Sequence, residues 1–159
     1  MNAHDILYYG NTIILEYVQD LPEEHWNSSG VCGWWSVREI MAHLASFEHM
    51  LTEAIDIVQG AEAGPYLRAF SDPVLDFNDV QVEKRNAMSA TAVMAEYANS
   101  QARTMETITN VAPDLCRRPG TLPWYGEEYS LDDFIVYTFY GHKREHGAQI
   151  GVFRDSIGL

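Results

Sequence analysis

Apolar residues recur at intervals of three and four along much of the chain, and no stretch alternates convincingly between apolar and polar positions. Four stretches carry this spacing, and loops rich in Pro, Gly, Asn and Ser separate them. Such spacing is typical of the buried stripe of an amphipathic helix. The sequence therefore predicts an all-α fold in which four long helices form a bundle, as a single domain over residues 1–159.

The first two helices have clear boundaries. The first is predicted over residues 3–20, and it ends at Leu21-Pro22 because the residue before a proline avoids helical geometry. The second begins after Ser36, which can cap it, while Glu39 can return a bond to the Ser36 backbone in a capping box. Its apolar face continues to about Gln59.

A third helix is predicted from about Ser89 to Val111, and its spacing indicates a core face. That face comprises Met94, Tyr97, Ala98, Gln101, Met105 and Ile108. Residues 60–86 contain repeated Gly and Pro breaks, which favour a long crossover connection with a short helix around Asn78 to Arg85.

The fourth helix is predicted to begin after Ser130, with Asp133 near its positive N-terminal end. One face of it continues almost to the C-terminus. That face comprises Leu131, Phe134, Ile135, Thr138, His142, His146, Ile150 and Phe153.

Three histidines lie on faces that these helices should turn inward. His142 and His146 are one helical turn apart, and His43 lies in the apolar stripe of the second helix. We expect them to meet around one metal ion, because neutral imidazole suits Zn²⁺, Ni²⁺ or Fe²⁺. Three protein ligands leave positions open, which is typical of a catalytic site. The alternative is three hydrogen-bonded core histidines without a metal.

The sequence allows more than one role for the polar residues near these histidines. Glu145 is a candidate general base, or else a solvated helix charge, and Gln149 can orient an imidazole N–H. His4, His25 and His49 are expected at the surface. Surface ion pairs are likewise the expected role of Arg38, Lys143 and Arg144, although these three are also candidate anion contacts.

The composition and charge of the chain exclude some classes of binding partner. Hydrophobic residues make up 47% of the chain, which is enough for a core, and the formal net charge is −13. That charge argues against nucleic acid and anionic membrane as partners. No apolar run reaches the roughly 18 residues of a membrane span, and no signal peptide is visible. Cys32 and Cys116 form no CxxC motif, so reduced cysteines and a cytoplasmic location are expected.

Two segments resemble those of a known family. The run from Trp35 to Leu44, WSVREIMAHL, and the run from His142 to Ile150, HKREHGAQI, are similar to paired segments of the DinB-like (DinB/YfiT-like) metalloprotein superfamily. Their order, separation and predicted helices also fit, so the resemblance covers nearly the whole chain.

This resemblance implies a four-helix bundle in up-down-down-up order, with the long crossover between the second and third helices. It also implies a divalent metal on His43, His142 and His146, and a homodimer. Related enzymes use low-molecular-weight thiols, so the resemblance favours a thiol-dependent S-transferase acting on small electrophiles. A metal-dependent hydrolase and a non-catalytic metal-binding or stress-response module are the alternatives.

Overall fold

The protein is all-helical in a computed structural model that describes residues 2–159, and no β-strand forms in that part of the chain. A single isolated bridge joins Cys32 and Trp35. The helices are α1 (Ala3–Val18), α2 (Val37–Val58), α3 (Pro65–Phe70), α4 (Phe77–Glu83), α5 (Ala90–Thr109), α6 (Pro113–Cys116), α7 (Leu131–Phe134) and α8 (Gly141–Ser156). A 3₁₀ turn covers Glu23–His25, and a π-helical segment covers Ile135–Tyr140.

Helix α2 begins as the sequence predicts. The Glu39 carboxylate accepts a bond from the Ser36 backbone N–H at 2.7 Å, and the Ser36 hydroxyl accepts one from the Glu39 N–H at 3.3 Å. This capping box satisfies backbone donors that the first helical turn leaves free. Ile40 and His43, which lie on the apolar stripe of α2, are both buried.

The connection between α2 and α5 contains two short helices. The predicted one is α4, whereas α3 was not predicted because Gly64-Pro65 looked like a loop. Helix α3 forms because Pro65 is tolerated in its first turn and the Glu53 carboxylate of α2 accepts the N–H groups of Tyr66 and Leu67, at 3.3 and 2.7 Å. A distant side chain thus supplies a cap that local sequence does not show.

The inward face of α5 differs from the predicted one. Tyr97 and Ile108 are buried as expected, but Ala98 is exposed and Met94, Gln101 and Met105 are only partly buried. The remaining buried positions are Val93, Ser100, Thr104 and Thr107. Small hydroxyl residues are accommodated there because they bond to backbone carbonyls: Thr104 donates to those of Ser100 and Glu48.

The final helical run begins at the predicted cap and continues through the π-helical segment. Ser130 and Asp133 form a second capping box. The wider turns of the π-helical segment rotate the helix that follows, so Phe139 and Lys143 are buried whereas Thr138 is only partly buried. The predicted stripe assumed a regular α-helix and therefore missed this rotation.

The long helices pack in pairs. Helix α2 packs against α5, and α1 packs against α8, the π-helical segment and α5; α2 also meets α8. Among the helices that the structure describes, none combines the length and apolar character of a membrane span.

Candidate metal centre

The structure brings His43, His142 and His146 together. Nε2 of His142 lies 2.8 Å from Nε2 of His43 and 2.9 Å from Nε2 of His146. One ring nitrogen from each of the three histidines can be chosen so that all three nitrogens lie within 4.8 Å of one another. His43 comes from α2, and the other two project from one face of α8 because they are four residues apart.

Hydrogen bonds alone do not account for this arrangement. An imidazole nitrogen offers one in-plane position, either an N–H or a lone pair. Nε2 of His142 nevertheless faces two other Nε2 atoms at hydrogen-bond distance. At least one contact therefore lacks a proper donor and acceptor, whereas three lone pairs directed at one shared cation would satisfy all three rings. The donor set thus fits a divalent metal.

Gln149 fixes the tautomer of His146. Its side-chain oxygen lies 2.8 Å from Nδ1 of His146. An amide oxygen only accepts, so Nδ1 carries the proton and Nε2 directs a lone pair into the cluster. This is the orienting role that the sequence predicts for Gln149.

The surroundings keep the rings neutral. Burial is the largest cause that lowers the pKa of His43 to about 2, and neighbouring His142 and His146 lower it further. Burial also lowers the pKa of His142 to about 3, with His146 and then Lys143 adding to the effect. The pKa of His146 is lowered by burial too, against the opposing influence of Gln149 and Glu145. Neutral imidazole is the form that binds metal.

Aromatic rings pack against two of the three histidines. The ring centroids of Trp35 and Phe47 lie 5.0 and 4.6 Å from that of His43, and Phe47 lies 4.5 Å from His142. His43 and His146 are buried, while His142 is partly exposed. Of the three ligand candidates, His142 is therefore the one with the most exposed surface.

Nδ1 of His43 is buried and has no hydrogen-bond partner among the described residues. Most metal-binding histidines donate this second N–H to an acceptor. Here the flanking surfaces are Trp35 and Phe47, so packing rather than a hydrogen bond holds the ring.

Glu145 is exposed, as expected of a solvated charge, and no carboxylate in residues 2–159 hydrogen-bonds to any of the three rings. The proposal that Glu145 is a general base stays a prediction.

Two basic residues were wrongly placed at the surface by sequence reasoning. Lys143 is buried and pairs with buried Glu48. Arg38 is also buried and donates to Asn27, Asn86 and the Arg85 carbonyl. Lysine and arginine are rarely buried unless paired, and these partners are too distant in sequence for local pattern to show them.

The other histidines lie outside the cluster. His4 is exposed, as predicted, and His25 is partly buried near Phe153. His49 was expected to be exposed, but it is partly buried, donates a 3.1 Å hydrogen bond to the Glu96 carboxylate and stacks on Tyr66. The crossover helices cover this side of α2, which periodicity alone could not reveal.

Comparison with known families agrees with this geometry. A model of the DinB superfamily matches residues 8–150, a span that includes all three histidines and Gln149. The chain belongs to the DinB superfamily. Neither a curated protein nor a solved structure gives a significant match. Within this DinB-superfamily chain, the matched span runs from α1 into α8 and so contains every long helix that contributes to the site.

Proposed function

We propose that the protein is a metalloenzyme in which His43, His142 and His146 bind one divalent ion, Zn²⁺, Ni²⁺ or Fe²⁺. The observation that carries the proposal is Nε2 of His142, which faces two other Nε2 atoms at 2.8 and 2.9 Å. The lowered pKa values of the buried rings and the proton that Gln149 holds on Nδ1 of His146 both support it.

The reaction we propose is transfer of a small thiol to an electrophilic small molecule. A bound divalent ion would supply a Lewis acid that favours the thiolate form of the thiol. Thiol transfer is preferred to hydrolysis because the family resemblance of the two histidine segments favours thiol-dependent chemistry. His142 is only partly buried, which supports access of small molecules to the site.

A specific observation also favours a second candidate, a metal-binding module without turnover. Trp35 and Phe47 pack directly on His43, and Phe47 also packs on His142. These rings restrict the space around the cluster, which suits a metal held for stability or stress response as well as a compact active site.

The two candidates separate in a thiol-consumption assay. Metal-loaded protein is incubated with an electrophilic aryl halide and, in turn, cysteine, glutathione and other small thiols. The enzyme proposal predicts thiol-dependent loss of the electrophile that His146→Ala abolishes and His4→Ala, at an exposed site, preserves. Binding of metal without consumption of any thiol would favour the non-catalytic module.

The proposal extends to the assembly. The pairwise packing of α2 with α5 and of α1 with α8 supports a four-helix bundle in up-down-down-up order, with residues 59–89 as the crossover. Exposed apolar side chains on α1 and on the helical run that packs against it support a homodimer; they include Tyr9, Tyr137 and Val152. Light scattering during gel filtration tests the dimer.

The net charge of −13 supports a small-molecule substrate rather than nucleic acid or membrane.

A further inference from the structure

A buried ion pair connects the two helices that carry the three histidines. Lys143, next to His142 in α8, places Nζ 2.5 Å from Oε1 of Glu48, which lies just beyond His43 in α2. Only 3% of the lysine side chain and 1% of the glutamate side chain are exposed. The proposed metal site does not use either group as a ligand.

The same lysine reaches the other two long helices. Its Nζ lies 5.5 Å from the ring centroid of Tyr97 in α5. The hydroxyl of Tyr97 donates to Asn11 of α1 at 2.8 Å. The stem of the lysine passes Gly10 of α1, where an added Cβ would be 3.6 Å from its Cδ. All four long helices therefore meet at this one side chain.

Stability alone is a poor explanation for this pair. Burial removes both charges from water, and replacing a buried ion pair with apolar side chains of similar volume is often neutral or stabilising. Oε2 of Glu48 also lacks a hydrogen-bond partner among the residues described, so the carboxylate is incompletely satisfied. The best-supported role of such groups is to select one register between packed elements.

We propose that Lys143 and Glu48 are positioning residues that fix the register of α8 against α2 and so hold His142 and His146 against His43. The inference rests on the proposed metal centre. Each partner is close in sequence to a histidine, so sliding one helix along the other would separate the ion pair and the imidazole nitrogens together. Metal sites require such geometry within a fraction of an ångström.

Cobalt binding tests this role without relying on activity. The double variant Glu48→Leu with Lys143→Met removes both charges and keeps the volumes, so it should stay folded. We expect its affinity for Co²⁺ to fall at least about tenfold, the size of effect that supporting residues have on metal sites. The visible absorption bands of bound Co²⁺ should also change shape. Glu48→Asp keeps the ion pair but shortens the acidic side chain by one methylene group, so it should change the bands as well.

A second ion pair provides the matched control. Arg85 forms two bonds with Glu96, at 2.6 and 2.9 Å, but joins the turn after α4 to α5 rather than α2 to α8. Arg85→Met with Glu96→Leu should leave Co²⁺ affinity and spectrum unchanged. Wild-type affinity and spectrum in the Glu48 and Lys143 variants would overturn the positioning role. Failure of the wild-type protein to bind Co²⁺ would overturn the metal centre itself and this inference with it.

Discussion

At the scale of single residues, Gln149 decides whether His146 presents a lone pair to the cluster. Its amide oxygen accepts the Nδ1 proton at 2.8 Å, which leaves Nε2 free. The sequence predicts this role because Gln149 flanks the histidine pair and an amide there can orient an imidazole N–H. It could not predict that Nδ1 of His43 would lack such a partner.

Replacing Gln149 should therefore weaken metal binding. In Gln149→Leu the acceptor is lost, the tautomer of His146 is no longer fixed, and we expect Zn²⁺ affinity to fall about 10–100-fold in a chelator-competition titration. Gln149→Glu retains an acceptor and should bind close to the wild-type level. Equal affinities for wild type and Gln149→Leu would show that the contact does not orient the ligand.

At the scale of elements, α1 and α8 approach closely because glycines of α8 face the ring of Tyr17. A Cβ added at Gly151 would lie 2.8 Å from Cε1 of that ring, and one added at Gly147 would lie 3.0 Å from Cδ2 and Cε2 of the same ring. A methyl group at either position is too large unless the ring moves. These glycines therefore set the distance between α1 and the helix that carries two of the histidines.

Gly151→Ala should destabilise the protein by about 1–3 kcal/mol, because the clash outweighs the better helix propensity of alanine. Gly141→Ala is the matched control: its added Cβ would meet only the Val136 carbonyl at 3.6 Å, so we expect a gain of up to about 1 kcal/mol. Urea unfolding of both variants measures the difference. A stabilised Gly151→Ala variant would contradict the close packing of α1 on α8.

Elements were predictable where the signal is local. The predicted capping box of Ser36 with Glu39 forms at the start of α2. Ser130 likewise caps α7 as predicted, where the helical run that continues into α8 begins. Features that depend on tertiary contacts were not predictable. Helix α3 needs the Glu53 carboxylate as its cap, and Lys143 is buried because its partner Glu48 comes from another helix.

At the scale of the whole molecule, one hydrogen-bonded group should make stability depend on acid pH. It consists of Glu96 in α5, Arg85 in the α2–α5 connection and His49 in α2. Glu96 accepts bonds from His49 and Arg85, which lowers its pKa from an ordinary 4.5 to about 2, with the bond from His49 as the largest cause. A carboxyl group whose pKa is lower in the folded state binds protons more readily when unfolded. Its contribution is complete above about pH 4.5 and disappears as pH falls toward 2.

Glu96→Gln should consequently be less sensitive to acid than the wild type. The free energy of unfolding of the wild type should fall between pH 4.5 and 2 by about 1–2 kcal/mol more than that of the variant, since solvent screens part of the interaction at this partly exposed group. Glu106→Gln, in an exposed pair with Arg103, should follow the wild-type curve. Parallel pH profiles for wild type and Glu96→Gln would contradict the role of this hydrogen-bonded group.

The overall arrangement was more predictable than the chemistry. Spacing and caps indicate an all-helical chain, and the structure brings the three predicted histidines together. The identity of the metal depends on geometry and availability as much as on ligand type, and the substrate depends on the shape and polarity of the surface around the three histidines. The spacing of apolar residues along a helix carries no information about which metal or which substrate binds.

Metal stoichiometry tests the central claim most directly. The protein is dialysed against Zn²⁺, freed of excess metal, and measured for zinc per chain by mass spectrometry, alongside His142→Ala and the exposed-site control His4→Ala. We predict one zinc per chain in the wild type and in His4→Ala, and a large loss in His142→Ala, because Nε2 of His142 contacts both other rings. Absence of zinc from the wild type, or equal zinc in all three proteins, would contradict the metal centre.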